Sequence, residues 1–148
     1  MTDDDEVVWP WGMTERDPDP ASRPWVFNPH GFLLAVVADT AEAERAEAAL
    51  AAVGFGSGRQ RTYTGEQVLE DRARHVAQQG IARRLVETVT IDNEAVDLLL
   101  GFARAGRSFV WIRTPQREDA NRAIRGLSTC SVLYFRYYGD EVEEIRMP

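Results

Sequence analysis

Few residues of this chain have the types and spacing that catalysis or metal binding requires. His30 precedes an apolar segment, His75 follows Arg74, and no cysteine pair accompanies either histidine. A zinc site needs several converging ligands, which two separate histidines do not supply. The single cysteine, Cys130, comes just before an apolar stretch, which indicates a small buried residue and not a nucleophile. We therefore predict no metal, no cofactor and no catalytic residue.

The glycine-rich segment at 54–58 and three pairs of acidic residues give still weaker evidence for a phosphate-binding or catalytic site. The glycines of Gly-Phe-Gly-Ser-Gly at 54–58 match neither the dinucleotide nor the P-loop spacing, and a strand is expected where such a loop needs a helix. We interpret this segment as a helix end followed by a turn. Three acidic pairs are interpreted as solvent-exposed, because no acid or base is placed opposite them: Glu70 with Asp71, Glu118 with Asp119, and Glu143 with Glu144.

Aromatic and arginine side chains form the one constellation that predicts binding. Residues of a strand point alternately to the two faces of a sheet. In the strands expected at 108–113 and 132–138, Val110, Ile112, Leu133, Phe135 and Tyr137 are predicted to face the helices. The opposite side, here called the aromatic–arginine face, then holds Trp111, Arg113, Tyr134, Arg136 and Tyr138, joined by Arg61 and Tyr63 from another strand.

Such a face is too apolar to be left in water, so we expect something to cover it. One possible cover is a second copy of the sheet or the tryptophan-rich N-terminal arm of the same chain. Another is a small aromatic or anionic ligand held between guanidinium groups and rings. The third is single-stranded RNA stacked on the sheet. The net charge of −7 and the absence of the RNA-recognition glycine pattern argue against nucleic acid as a partner.

The elements that position this face follow from periodicity and caps. Asp39 with Glu42, and Thr64 with Gln67, have the spacing of helix N-terminal capping boxes. Gly54 and Gly106 are placed as helix ends. Thr114 is predicted to cap a further helix with Pro115 at its first position. That helix lies between strands predicted at 108–113 and 132–138. Before them, the pattern predicts a strand at 32–38, a helix at 40–53, an edge strand at 57–63, a helix at 64–79, an ambiguous segment at 81–91 and a helix at 94–105.

The chain also repeats weakly at a spacing of 75 residues, which aligns two strand–helix–strand units. Two right-handed βαβ units in one chain predict a ferredoxin-like α+β sandwich with a four-stranded antiparallel sheet backed by helices on one face. The strands at 32–38 and 108–113 should be central and adjacent, flanked by those at 57–63 and 132–138. Residues 64–105 form a helical insert between the two halves.

Four short motifs carry a family resemblance: Tyr-Thr-Gly-Glu at 63–66, Arg-Arg-Leu at 83–85, Ala-Gly-Arg at 105–107 and Tyr-Tyr-Gly at 137–139. From residue 31 onward the chain resembles small actinobacterial proteins related to the heat-induced general stress proteins. The resemblance implies a ferredoxin-like fold and a bacterial, stress-related setting. It brings no biochemical activity with it, and it does not include the N-terminal arm.

Residues 1–30 differ in composition from the domain expected at 31–148. Residues 1–29 hold seven carboxylates and two arginines, and five of the seven prolines, so an irregular acidic arm is predicted. The arm also contains three of the four tryptophans, Trp9, Trp11 and Trp25, together with Phe27. Disordered segments are usually poor in aromatic residues. We therefore interpret these rings, Trp9 and Trp11 in particular, as anchors onto a protein surface.

The cellular setting and the function follow only in outline. One cysteine excludes an intrachain disulfide, the acidic start is unlike a signal peptide, and the longest apolar run is too short to cross a bilayer, so a cytoplasmic protein is expected. All seventeen basic residues are arginine, so an anion would be bound by planar guanidinium groups. The sequence favours a non-catalytic association module that binds itself, as a homodimer or higher oligomer, or another protein. The alternative is a small dimeric α/β-barrel enzyme or a sensor for an aromatic or anionic small molecule.

Overall fold

Five antiparallel strands form one sheet with helices on both of its faces. The computed structural model describes residues 30–73 and 93–145. Their elements are β1 (Phe32–Val37), α1 (Thr40–Ala52), β2 (Gln60–Thr64), α2 (helical over residues 65–73), α3 (Asn93–Arg104), β3 (Ser108–Arg113), α4 (Arg117–Gly126), β4 (Val132–Tyr138) and β5 (Val142–Ile145), with short 3₁₀ turns at Ser57–Arg59 and Leu127–Thr129. The helix predicted beyond residue 73, the ambiguous segment at 81–91 and the N-terminal arm lie outside the described residues.

The strand order is β2-β3-β1-β4-β5, and every neighbouring pair is antiparallel. The two most apolar strands, β1 and β3, are adjacent and central, and β2 and β4 flank them, as the sequence predicts. All six residues of β1 are buried because a central strand is covered on both faces. The α+β class and the antiparallel sheet are therefore confirmed.

Two parts of the fold prediction are wrong. The sheet has five strands instead of four, because the chain turns after Tyr138 and β5 pairs with β4. This strand is short and carries Glu143 and Glu144, so its sequence gives little strand signal, and its charges suit an exposed sheet edge. The helices also do not lie on one face only. α1 and α4 pack on one face, whereas α2 and α3 contribute to the core on the other.

The core between the sheet and α1 and α4 is built from small helix residues and apolar strand residues. Alanines at 43, 46, 120 and 123 let both helices approach the sheet closely. They meet the strand residues that alternate toward this side, among them Leu33, Ala35, Val110, Ile112 and Phe135. Leu133 was predicted to join them but is 46% exposed. The register between β1 and β4 shifts beside Val37, so Leu133 falls at an irregularity in the strand pairing.

Several helix ends were predicted from single residues, and most of these predictions are confirmed. The Asp39 carboxylate accepts the Glu42 N–H at 2.9 Å, and Thr64 and Gln67 cap one another at 2.9 and 3.0 Å. Gly54 has a φ of +101°, the left-handed conformation that glycine adopts readily, directly after α1.

The start of α4 was predicted wrongly. Its N-cap is Gln116 instead of Thr114, and the Asp119 carboxylate accepts the Gln116 N–H at 3.0 Å. The Thr114 N–H instead bonds the Gly31 carbonyl oxygen at 2.7 Å, which continues the pairing of β3 with the start of β1. The extended backbone therefore persists past residue 113 and delays the helix.

Candidate binding surface on the sheet

The aromatic–arginine face has the composition that the alternation predicts. Leu34, Val36, Tyr63, Phe109, Trp111 and Tyr138 belong to one buried cluster, which Phe32 joins from the start of β1. Tyr134 packs against this cluster while half-buried. Arg61 and Arg113 are half-buried, and Arg136 is buried. The residues that the sequence analysis assigned to this face therefore do share it, and Phe32 is an addition.

This face is covered, as the sequence predicts, but part of its cover is an element that was not among the three expected. Val68 of α2 and Leu99 and Ala103 of α3 belong to the same buried cluster, so the helical insert covers part of this face. Trp111 is only 1% exposed. A solvent-facing anchor at Trp111 is therefore excluded, and the indole instead occupies an interior position.

One row of residues crosses all five strands on this face. Arg61 pairs with Trp111, Trp111 with Leu34, Leu34 with Arg136, and Arg136 with Glu144. Neighbouring strands are about 4.8 Å apart, so Arg61 and Arg136 stand roughly 14 Å apart across the sheet. The row therefore has an arginine on each side of its apolar centre.

A second row lies beside the first and contains Arg113, Phe32 and Tyr138. Trp111 contacts Phe32 edge to face at 6.3 Å between ring centroids and Tyr138 at 5.7 Å. The guanidinium of Arg136 lies 5.5 Å from the centre of the Tyr138 ring. These six residues, Arg61, Arg113, Arg136, Phe32, Trp111 and Tyr138, are called the arginine end of the face.

The opposite end of the face lies under the insert. Phe102 of α3 contacts Tyr134 at 5.7 Å between ring centroids. Gly65, at the start of α2, lies so close to Ala103 that an added Cβ would stand 2.3 Å from the Ala103 carbonyl oxygen. The two helices therefore meet above the end of the sheet where β2 finishes and β3 begins. This end is a packed core.

A polar network joins β4 to the edge strand β5. The Tyr134 hydroxyl donates to the Glu144 carboxylate at 2.9 Å, and one Arg136 nitrogen donates to both of them, at 3.0 and 3.1 Å. Burial raises the pKa of the Tyr134 phenol above its usual value of 10.0; Arg136 opposes this shift and Glu144 adds to it. Glu144 is exposed, as the sequence predicts, and it also pairs with the buried guanidinium of Arg136.

We expect Tyr134 to titrate above pH 10 in the folded protein. A raised pKa means that the neutral phenol is favoured in the fold, so the contribution to stability is complete below the unfolded pKa of about 10 and is lost as the pH rises through the folded pKa. Ultraviolet titration of the parent and of Tyr134→Phe should differ by one phenol that ionises above pH 10. A difference curve centred at or below pH 10 would contradict the buried network.

A cleft of about 610 Å³ lies on the other side of β5. Arg117 at the start of α4 pairs with Glu143 and lies 5.5 Å from the centre of the Tyr137 ring, and His30 is 3.1 Å from Asp140. The remaining lining includes Gln116 and Glu141. With three carboxylates and one arginine, the cleft disfavours an anionic ligand. Burial raises the pKa of the Tyr137 phenol above its usual value.

The remaining candidate residues fall in different places. Cys130 packs against the core below α1 and α4 but is half-buried, less enclosed than the buried position expected. His75, Trp9 and Trp11 lie outside the described residues. Within the described part of the chain, no three histidine, cysteine, aspartate or glutamate side chains gather closely enough to hold a metal ion. Across residues 30–73 and 93–145, none of the helices has the length and apolar character that a bilayer crossing requires.

Comparison of the chain with protein-family models, with curated proteins and with solved structures gives no match.

Proposed function

We propose that this protein is a non-catalytic association module built on a ferredoxin-like unit that a fifth strand extends. The order β4-β1-β3-β2 within the sheet supports the ferredoxin-like assignment. The two strand–helix–strand units, β1-α1-β2 and β3-α4-β4, support it as well, because α1 and α4 share one face of the sheet. The bacterial, stress-related setting and the cytoplasmic location stay predictions from the sequence.

The proposed binding surface is the arginine end of the face, where Arg61 and Arg113 are the half-buried members and Phe32, Trp111, Arg136 and Tyr138 are buried. Its main support is that Arg61 lies opposite Trp111 and Arg113 opposite Phe32 in the strand register, while the Arg136 guanidinium lies over the Tyr138 ring on the same half of the sheet face. Arginine forks bind carboxylates in a bidentate way, and aromatic residues and arginine are enriched where protein surfaces bind each other. The ligand that this chemistry fits is a protein segment that combines acidic and aromatic residues.

We expect peptides selected from a random displayed library on the full-length chain to combine Asp or Glu with Trp, Phe or Tyr. Their affinity should fall at least about tenfold in an Arg61→Ala/Arg113→Ala variant, because a charge-assisted hydrogen bond contributes roughly 1.5–3 kcal/mol. The matched control is Arg45→Ala/Arg125→Ala, which removes two exposed arginines from α1 and α4. Equal affinity in the two double variants, or selected peptides without acidic residues, would place the binding surface elsewhere.

A small-molecule site in the cleft beside Arg117 is the weaker alternative. Arg117 and Glu143 already pair there, and the side chains of His30 and Asp140 are 60% and 101% exposed. A general acid or base works best when its surroundings hold it in place and exclude water. The cleft therefore supports the dimeric-barrel enzyme less well than the arginine end supports an association module.

A further inference from the structure

We infer that the cleft beside Arg117 is a second binding site, which takes a small organic dication, a molecule with an ammonium or guanidinium group at each end. Arg117 and Tyr137 line this cleft together with residues of the turn between β4 and β5, and none of its lining belongs to the arginine end of the face. Its volume of about 610 Å³ lies within the usual range of small-molecule sites. Binding there is independent of binding at the arginine end.

The charge of the lining favours a cation. Asp140, Glu141 and Glu143 supply three carboxylates against the single guanidinium of Arg117, a net charge of −2 with His30 neutral. Arg117 is already neutralised by its pair with Glu143. The negative charge that remains therefore lies on the turn, at Asp140 and Glu141. A cleft lined by one sign of charge concentrates ligands of the opposite sign, and a dication balances this one.

The two carboxylates of the turn are available to a ligand. Glu141 is exposed, and among the residues that the structure describes it forms no ion pair or hydrogen bond. The Asp140 side chain is fully exposed and contacts His30 through one oxygen, at 3.1 Å. A carboxylate offers about four acceptor positions, so most of this capacity is unused. Across the described residues the acidic side chains are also too dispersed to hold a metal ion, which favours a longer molecule with separated charges.

Tyr137 contributes a hydroxyl group that the fold does not use. The side chain is only 6% exposed, because its ring belongs to the core between the sheet and the helices α1 and α4. Its hydroxyl is nevertheless accessible from the cleft, and it has no hydrogen-bond partner within the described part of the chain. Buried polar groups are generally hydrogen-bonded, so a nearly buried phenol without a partner calls for one. An N–H group of a ligand would donate to this oxygen.

Gly139 keeps that hydroxyl accessible. The glycine is buried beside Tyr137, and an added Cβ would stand 2.5 Å from a carbon of the ring and 3.0 Å from the hydroxyl oxygen. Gly139 does not have a left-handed φ, so the backbone conformation does not require glycine there. A distance of 3.0 Å is also typical of a hydrogen-bond donor. A side chain at residue 139 would therefore occupy the place in which the nitrogen of a ligand has to stand.

Arg117 shows that a guanidinium group fits the chemistry of this cleft. Its guanidinium pairs with Glu143 and lies 5.5 Å from the centre of the Tyr137 ring. Its Nε–H donates to the Asn121 side-chain oxygen at 3.1 Å, which holds it on the α4 side of the cleft. Proteins bind cations by placing them near aromatic rings and carboxylates in this way. A ligand at the carboxylates of the turn would repeat the arrangement on the opposite side.

Agmatine is the probe, because it carries a guanidinium group at one end and an ammonium group at the other. Its matched control is γ-guanidinobutanoate, in which a carboxylate replaces the ammonium group. Each compound is titrated at low salt into the full-length chain, and the arginine Nε–Hε resonances are followed by two-dimensional NMR. We expect agmatine to shift the Arg117 resonance and to leave those of Arg45 and Arg125 unchanged. Its affinity should be at least about tenfold higher than that of γ-guanidinobutanoate, because one charge-assisted contact is lost in the control.

Two variants of the cleft test the residues that carry the site. Tyr137→Phe keeps the ring in the core and removes only the hydroxyl, so agmatine should bind about two- to tenfold more weakly, the effect of one hydrogen bond. Asp140→Asn/Glu141→Gln should weaken binding about three- to tenfold, as expected for two exposed charge pairs. The matched control Glu44→Gln/Glu70→Gln removes the same charge from exposed positions on α1 and α2 and should leave the affinity within about twofold. Far-ultraviolet circular dichroism checks that each variant is folded.

Equal affinity of agmatine for the parent and for both cleft variants would overturn the inference, and so would equal binding of agmatine and γ-guanidinobutanoate. An equal loss in the cleft variant and in Glu44→Gln/Glu70→Gln would contradict it as well, because the attraction would then be a property of the whole surface. A peptide Gly-Gly-Arg-Gly-Gly with blocked ends that shifts Arg117 where agmatine does not would also count against it, since the cleft would then take a protein side chain instead of a small molecule.

Discussion

Replacement of Trp111 by alanine is expected to lower the free energy of unfolding by about 3–5 kcal/mol, the usual cost of truncating a large aromatic side chain in a packed core. The indole is 1% exposed and contacts Phe32 and Tyr138, so its removal leaves a cavity that the central strands cannot close. The sequence alone suggested a surface anchor, whose loss would leave the fold nearly intact. Denaturant unfolding followed by circular dichroism measures the difference.

Two control substitutions sharpen this prediction. Trp111→Phe keeps an aromatic ring in contact with Phe32 and should cost clearly less than the alanine substitution. Leu133→Ala truncates a side chain that is 46% exposed and should cost under about 1 kcal/mol, because little apolar surface leaves the interior. A loss below about 1 kcal/mol for Trp111→Ala would mean that the aromatic–arginine face is open to solvent.

Gly65→Ala is expected to destabilise the protein by about 1–3 kcal/mol, as added atoms do in a closely packed interior. The new methyl group would stand 2.3 Å from the carbonyl oxygen of Ala103 and 2.9 Å from its Cα. Both are backbone atoms, so α2 and α3 must separate to accommodate the change. The measurement is again the free energy of unfolding.

Gly101→Ala is the matched control because it makes the same chemical change within α3. Beyond the neighbouring backbone of its own helix, a Cβ at residue 101 meets nothing within 4 Å, and the residue is exposed. Alanine in a helix interior is favoured over glycine by about 0.8–1.0 kcal/mol, so this variant should be slightly more stable than the parent. If Gly65→Ala and Gly101→Ala change the free energy of unfolding in the same direction, then Gly65 of α2 does not lie against the backbone of Ala103 in α3.

The sequence predicted the centre of the fold because local signals and burial agree there. β1 is apolar along its whole length and β3 from Phe109 to Ile112. Asp39, Gly54 and Thr64 mark helix ends by side-chain or backbone chemistry that acts within a few residues. Strand order followed from the handedness of βαβ units. β5 escaped prediction because four residues with two glutamates have no strand signal until β4 offers them an edge to pair with.

The cover of the aromatic–arginine face could have been predicted in part. A helix with an apolar stripe such as Leu99, Leu100 and Ala103 has to bury that stripe against another element. The aromatic–arginine face of the sheet is the apolar surface against which this helix stripe could have been placed. The network of Tyr134, Arg136 and Glu144 could not have been predicted, since it depends on the register between β4 and β5.

The central claim, that the arginine end of the face is the binding surface, is tested most directly by the side-chain Nε–Hε resonances of the arginines in a two-dimensional NMR spectrum. Adding an excess of a library-selected acidic and aromatic peptide to the full-length chain should shift the resonances of Arg61, Arg113 and Arg136. Those of Arg45 and Arg125, on the helices of the opposite face, should stay unchanged. Shifts confined to Arg117 beside the cleft, or to Arg45 and Arg125, would contradict the account.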